Sequence, residues 1–180
     1  MWRRLRWIIL ALIVLVVGGT IALAVVERPK LDDDQAAVDA RWNDLRPALR
    51  DRYTKLNDAL TAFAAAGGGD RSVTADLGAA LSDWDKAIAA KDPAAEVAAA
   101  NQLEGQATRL RVNAGSPRFA GIPALGAAIG GFTGSVIPAD QVKAYNRAVN
   151  RYQTERRSTL GAPVARVLGF DERPVLVLGG

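Results

Sequence analysis

Apolar residues recur every three or four positions along most of the chain, which is the period of an α-helix that buries one face. The longest such pattern predicts a helix over residues 35–66. Shorter patterns predict helices over residues 73–90, 93–112 and 140–168. Short loops join these segments, so the sequence predicts an all-α fold with an antiparallel bundle of about four helices. The apolar stripe of the first helix consists of Val38, Trp42, Leu45, Leu49, Tyr53, Leu56, Leu60 and Phe63.

A second pattern lies before the bundle, where residues 8–26 carry no charge and no proline. As a helix this run would extend ~28 Å, close to the ~30 Å hydrocarbon core of a bilayer. Arg3, Arg4 and Arg6 precede it. Because positive charge stays on the cytoplasmic side, we expect the preceding residues inside and the following domain outside. The sequence thus predicts a single-pass membrane protein, with the lipid bilayer as the partner of residues 8–26.

These patterns divide the chain into five predicted parts. They are a basic cytoplasmic segment (1–7), a transmembrane helix (8–26), a polar linker (27–34), a helical-bundle domain (35–170) and a tail (171–180) that we expect to fray. Two alternatives remain open. Ala22-Leu23-Ala24 resembles a signal-peptidase site, which would make the apolar run a cleaved signal peptide. The uncharged run over residues 119–139 is long enough for a second span, although its glycines and prolines favour a packed loop with a short helix over 125–137.

Glycine and proline predict where the helices begin, bend and end. Gly67 and its two glycine neighbours predict the end of the first helix, because glycine adopts the left-handed cap conformation without steric cost. Asp92 followed by Pro93 predicts an N-cap and first helical residue. Pro47 and Pro163 lie inside predicted helices, where we expect each to bend its helix.

The composition of the chain excludes several classes of partner and of catalytic site. Three of the 23 Lys and Arg residues precede the apolar run and all 19 Asp and Glu residues follow it, so the predicted domain is nearly neutral. Acids and bases are interleaved there, which argues against a nucleic-acid partner. Cysteine and histidine are absent. Disulfides, histidine-based nucleophile arrangements and the usual zinc ligands are therefore excluded, and we expect no cofactor and no metal.

Three stretches resemble the LemA family of membrane-anchored bacterial proteins. Residues 145–152, YNRAVNRY, are similar to that family's YNxAVxxYN pattern, although Gln153 replaces its second asparagine. Residues 168–170 with Pro174 resemble its exit from the last helix. The central helix junction is matched by Asp92-Pro93, Glu96, Asn101, Leu103 and Leu110. The resemblance implies a helical bundle and an envelope role, but no chemistry.

One candidate interaction patch lies on the last predicted helix. Tyr145 and Tyr152 are seven residues apart and share a face with Val149, while Asn146 lies beside them. Tyrosine and asparagine in this arrangement suit a protein or lipid partner. In the alternative interpretation, the tyrosines are core residues whose hydroxyls reach the rim, and the asparagine ties the helix to a loop.

The sequence favours a non-enzymatic binding or scaffolding protein of the bacterial envelope, with an unidentified envelope protein as partner and a possible homo-oligomer. The alternative is a membrane-tethered hydrolase, or an accessory subunit of an envelope protease, that uses carboxylates such as Asp83, Asp85 or Glu96. An enzyme of that kind needs two such groups to converge in a cleft, whereas a filled bundle core with solvated acids would argue against it.

Overall fold

The computed structural model describes the backbone of residues 2–179 and the side chains of residues 27–179. Within these residues the chain forms six α-helices and one short π-helical segment, with no β-strand. The elements in chain order are α1 (Trp2–Phe63), the π segment (Ala64–Gly68), α2 (Ser72–Ala90), α3 (Pro93–Ala114), α4 (Pro123–Gly134), α5 (Ala139–Arg156) and α6 (Gly161–Leu168).

Helix α1 is the central element, because α2, α3, α4, α5 and α6 all contact it. Its predicted apolar stripe is confirmed: all eight stripe residues from Val38 to Phe63 are buried, and Leu31 extends the stripe by about two further turns. Trp42 lies at the centre of the core, 5.4 Å from the ring of Tyr145 and 6.5 Å from that of Trp84. The bundle is thus assembled around one long helix, with α2 and α3 also packed against each other.

Two buried ion pairs join α1 to α3. Arg52 donates from Nε and Nη2 to the two carboxylate oxygens of Glu104, at 2.7 and 2.9 Å. Arg46 pairs in the same way with Glu96 at 2.8 and 3.0 Å, and Trp42 Nε1 donates to Glu96 at 2.6 Å. Both glutamates are almost fully buried, so each carboxylate takes its hydrogen bonds from α1 rather than from water.

Two of the predicted helix boundaries are confirmed. The Asp92 carboxylate accepts hydrogen bonds from the backbone N–H groups of Ala94 and Ala95 at 3.0 and 3.1 Å, with Pro93 as the first helical residue. This confirms the predicted N-cap of α3. Gly67 has a φ of 92° within the π segment, so the glycine run ends the first helix as expected.

The predicted fold class is corrected in two respects. The described residues contain six α-helices rather than about four, and none of them is long and apolar enough to cross a membrane. This also removes the second span over residues 119–139, where the helix α4 has only 12 residues. The segment predicted to span, residues 8–26 with Arg3, Arg4 and Arg6, lies outside the residues whose side chains the structure describes. From Glu27 onward charged residues interrupt α1 every few positions, because its outer face is polar.

Two further elements differ from the expected pattern. Residues 27–34, predicted as a linker, belong to α1, and the helix also continues through Pro47. The helix predicted over residues 140–168 is divided into α5 and α6. The break lies at residues 157–160, where Ser158 Oγ accepts a hydrogen bond from the Gly161 N–H at 2.8 Å and starts α6 two residues before Pro163. Proline suits that first turn, because its missing N–H has no helical partner there.

Candidate functional site

Residues 170–179, here named the tail segment, lie without regular secondary structure across α3 and α5. Six of its backbone carbonyl groups accept hydrogen bonds from helix side chains. On α5, Arg156 Nε donates to the carbonyl of Phe170 at 2.8 Å and Tyr152 to that of Asp171 at 2.7 Å. The others are Gln153 to Arg173, Tyr145 to Pro174, Asn101 to Val175 and Asn146 to Leu176, at 2.8–2.9 Å.

Two asparagine side chains form paired hydrogen bonds with the backbone of the tail segment, as a neighbouring β-strand would. Asn146 on α5 donates to the Leu176 carbonyl and accepts from the Leu176 N–H, both at 2.9 Å. Asn101 on α3 donates to the Val175 carbonyl and accepts from the Val177 N–H, both at 2.8 Å. A primary amide offers the same donor and acceptor as a peptide group, so each side chain replaces one rung of a β-ladder.

The surface that makes these contacts is here named the tail groove. It brings together residues of two helices that are distant in sequence, and each of them forms at least one hydrogen bond with the backbone of the tail segment. Its members are Asn101 on α3, and Tyr145, Asn146, Tyr152, Gln153 and Arg156 on α5.

Some side chains of the tail segment are buried against the bundle, and others are exposed to solvent. Leu176 is 2% exposed and belongs to the core, whereas Val175 and Val177 are 40% and 61% exposed. A Cβ atom added to Gly179 would lie 3.0 Å from the Glu104 carbonyl oxygen and 3.0 Å from Thr108 Oγ1. The tail segment therefore inserts Leu176 into the core between two exposed valines and ends in close contact with the α3 backbone.

Charged residues fix the start of the tail segment. Arg173 Nη2 lies 3.2 Å from Asp39 Oδ1 on α1, and its side chain is only 12% exposed. Glu172 is exposed and pairs with Arg156 at 3.1 Å and Arg157 at 2.9 Å. The groove is thus acidic where Arg173 enters and basic where Glu172 lies.

Burial sets the protonation of the groups in this site. It raises the pKa of Asp39 above its usual value, and the charges of Arg173 and Arg46 oppose that shift. Burial also raises the pKa of Tyr145 and of Tyr152 above the usual value of a phenol, which itself lies above neutral pH. Both tyrosines therefore remain neutral hydroxyl donors to the carbonyl groups of the tail segment.

The structure brings together the residues of the predicted interaction patch. Tyr145, Asn146 and Tyr152 all donate hydrogen bonds to the tail segment, and Val149 is buried beneath them. Both tyrosines are also buried core residues, so the hydroxyl-at-the-rim arrangement of the second interpretation is present at the same positions. The patch is covered by the chain's own tail segment rather than open.

Sequence reasoning missed Asn101, Gln153 and Arg156 as groove residues, and Asp39 as the partner of Arg173. Their partners are separated from them by 14 to 134 residues, and no helical period reports such a contact. One signal was present in the tail segment: residues 174–178, PVLVL, form a short apolar run of the kind found in extended strands. The expected frayed tail differs from the structure, where hydrogen bonds hold residues 170–177.

The carboxylates of the alternative enzyme hypothesis lie at three separate places in the described structure. Asp83 is exposed and pairs with Lys86 at 2.9 Å. Asp85 lines an open cleft between α1 and α2 that Arg50 and Trp84 also line. Glu96 is buried against Arg46 and Trp42. Among the described residues no group of three or more acidic side chains is arranged to hold a metal ion.

No protein-family model, no curated protein and no solved structure matches the chain. The resemblance to the LemA family therefore stays a hypothesis that rests on the quoted residues alone.

Proposed function

We propose that the protein is a non-enzymatic binding protein whose tail groove holds an extended polypeptide segment of a partner protein. One observation carries the proposal: eight hydrogen bonds between α3 and α5 side chains and the backbone of the tail segment, six donated by the side chains and two by the backbone. Side chains that hold a backbone through paired donors and acceptors accept an extended peptide of another chain by the same chemistry. The envelope location and the possible homo-oligomer stay predictions.

The geometry also supports binding over catalysis. The groups that contact the tail segment are amides, neutral phenols and guanidinium groups, which donate hydrogen bonds but do not activate a nucleophile at neutral pH. The core fixes their positions. The Tyr145 ring packs at a tilt against the Trp42 ring, and Val149 on the same face of α5 is buried. A rigid set of donors is what a binding surface needs, since less side-chain entropy is lost on association.

The experiment requires a full-length chain whose own tail segment is released. Leu176→Asp places a charge at a buried position and is expected to release it. Because residues 8–26 carry no charge, the chain is kept in a mild detergent. A fluorescent synthetic peptide of residues 170–180 is then titrated with this variant and binding is measured by fluorescence anisotropy. We expect saturable binding.

The control keeps the released tail segment and changes the groove. Asn101→Leu with Asn146→Leu removes four hydrogen bonds to the peptide, at about 1 kcal/mol each, so affinity is expected to fall more than tenfold. Asn150→Leu, on the exposed side of α5, is the matched control and should bind like its parent. Equal binding by the groove variant, with unchanged far-ultraviolet circular dichroism, would contradict the proposed function.

A further inference from the structure

Backbone hydrogen bonds in the tail groove do not select a sequence, because every residue except proline offers the same groups. Selectivity therefore depends on side chains of the tail segment that the groove confines. Three residues meet this condition: Arg173, Leu176 and Gly179. Charge confines the first and space confines the other two, whereas Val175 and Val177 between them are exposed.

Arg173 is confined by charge. Its guanidinium lies 3.2 Å from Asp39 Oδ1, and the Asp39 carboxylate is partly buried on α1. A partly buried carboxylate loses solvation, so a cation at this position is favoured and an anion is strongly disfavoured. The groups that face Asp39 are Arg46 on α1, Tyr145 and Tyr152 on α5, and Arg173 itself.

Leu176 and Gly179 are confined by space. The Leu176 side chain is 2% exposed within the core, where an aliphatic group is favoured and a charged group is excluded. Gly179 lies against the α3 backbone, and a Cβ atom there would approach the Glu104 carbonyl oxygen to 3.0 Å. Backbone atoms do not move aside as a flexible side chain does, so glycine is favoured at this position.

The exposed positions of the tail segment tolerate change. Val175 and Val177 are 40% and 61% exposed, and Glu172 forms ion pairs at the surface. Exposed ion pairs contribute little affinity. The confined positions therefore define a spacing: a basic residue, then leucine three positions later, then glycine three positions after that.

We infer, building on the proposed function, that the partner carries an extended segment with arginine or lysine, leucine and glycine at this spacing. The chain's own tail segment occludes the tail groove and competes with that partner segment. The occupant is a segment of another protein. Gly169 joins the tail segment to α6. Its φ of 73° is the left-handed conformation in which the helix ends and the chain turns. A tethered competitor acts at an effective concentration of about millimolar, which hides the groove from a dilute ligand.

The absence of cysteine from the chain allows a direct test of occlusion. The Cβ position at Gly179 lies 3.0 Å from Thr108 Oγ1, so a disulfide between Thr108→Cys and Gly179→Cys is within bonding reach. The full-length double variant is oxidised to lock the tail segment over the groove and reduced to remove that lock, so that an added peptide can compete with the tail segment. Disulfide formation, verified by mass spectrometry, is itself required, since its failure would overturn the placement of the tail segment.

Binding of the labelled peptide of residues 170–180 is compared between the two forms. We expect the oxidised form to bind at least tenfold more weakly than the reduced form. Equal binding by both forms would overturn occlusion while leaving the proposed function intact. Absence of binding in both forms, and in the Leu176→Asp variant, would overturn the proposed function as well. A reduced chain that dimerises and excludes the peptide would identify a second copy as the occupant and overturn the proposed partner.

The spacing is tested with peptide variants against the reduced form. We expect Arg173→Glu, Leu176→Asp and Gly179→Val each to weaken binding at least tenfold, whereas Val177→Thr leaves it within twofold. Asp39→Arg in the protein should restore binding of the Arg173→Glu peptide, because it reverses both charges of the pair. Four peptides of equal affinity would overturn the inferred pattern.

Discussion

Asn146 and Leu176 form a two-point hydrogen-bonded pair in which one side-chain amide replaces the peptide group of a neighbouring strand. The Asn146 amide donates to the Leu176 carbonyl and accepts from the Leu176 N–H, both at 2.9 Å, although the residues are 30 positions apart. The leucine side chain is buried at the same point, so the pair couples backbone recognition to core packing.

Replacing Asn146 should loosen the tail segment more than it unfolds the bundle. Asn146→Leu leaves the Leu176 N–H and carbonyl without partners beside the core, which costs about 1–3 kcal/mol. We expect hydrogen exchange of the Leu176 and Val177 amides to accelerate about tenfold or more, while amides of α1 and α3 keep their rates. Asn150→Leu, exposed on the same helix, is the control and should leave all of these rates unchanged.

The buried pair Arg52 and Glu104 should show the cost of an unpaired charge. Glu104 is 2% exposed, and Arg52 also donates to the Ser135 carbonyl at 2.9 Å and lies over the Phe132 ring. Glu104→Leu therefore leaves a buried guanidinium without its carboxylate, and we expect a loss of about 3–5 kcal/mol in urea unfolding.

Two comparisons make that prediction specific. Arg52→Leu combined with Glu104→Leu removes both charges and should recover a large part of the loss. The pair of Lys55 and Asp51 has the same 2.7 Å separation but is exposed, so Asp51→Leu should cost less than about 1 kcal/mol. Similar losses at the buried and exposed pairs would show that burial does not govern the effect.

Asp39 should give stability a pH dependence of defined sign. Burial raises its pKa above 3.8 in the folded state, so that state keeps the proton to higher pH than the unfolded state does. The contribution of Asp39 to the free energy of unfolding is then fully present below pH 3.8 and is lost as the pH rises through the folded-state pKa. We expect the stability difference between the wild-type chain and Asp39→Asn to fall with rising pH, as measured by urea unfolding from about pH 3 to about pH 7.

Glu172 should give the opposite sign in the same experiment. Hydrogen bonding and charge from Arg157, with the charge of Arg156, lower the pKa of Glu172 below 4.5. Its contribution is present above pH 4.5 and is lost as the pH falls through the folded-state pKa. The difference between the wild-type chain and Glu172→Gln should therefore rise with pH. Slopes of equal sign in the two variants would contradict this account.

Two glycine-to-alanine substitutions should have effects of opposite sign. At Gly161 an added Cβ would collide with the Glu155 carbonyl oxygen, where α5 turns into α6, so Gly161→Ala is expected to lower the melting temperature by several degrees. At Gly105 on the exposed side of α3 an added Cβ meets no atom within 4 Å. Gly105→Ala should stabilise the chain by about 0.5–1 kcal/mol, because alanine favours the helix. Thermal unfolding followed by circular dichroism measures both.

The helical part of this fold follows from local patterns. The stripe from Val38 to Phe63 and the cap at Asp92 depend on residues within one or two turns of each other, and the structure has both. The number of helices was wrong where the pattern is ambiguous. The break after Arg156 depends on the Ser158–Gly161 contact, and no apolar period signals that contact.

The candidate site was only half predictable. Tyr145, Asn146 and Tyr152 share a face of one helix, so their proximity follows from helical geometry. Their ligand does not, because the hydrogen bonds to the tail segment span 19 to 30 residues and depend on how α6 returns the chain. Asn101 joins the same groove from another helix across 74 residues, and only the assembled bundle brings it there.

The central position of α1 has a consequence for synthesis. A ribosome completes this helix first, yet α5, which covers Trp42 through Tyr145, is complete only after Arg156. At a synthesis rate of about 5–20 residues per second, the apolar stripe waits about 5–20 s for that partner. A nascent chain in this state exposes a long apolar stripe to chaperones, and the tail segment, which covers α3 and α5, emerges only after α5 is complete.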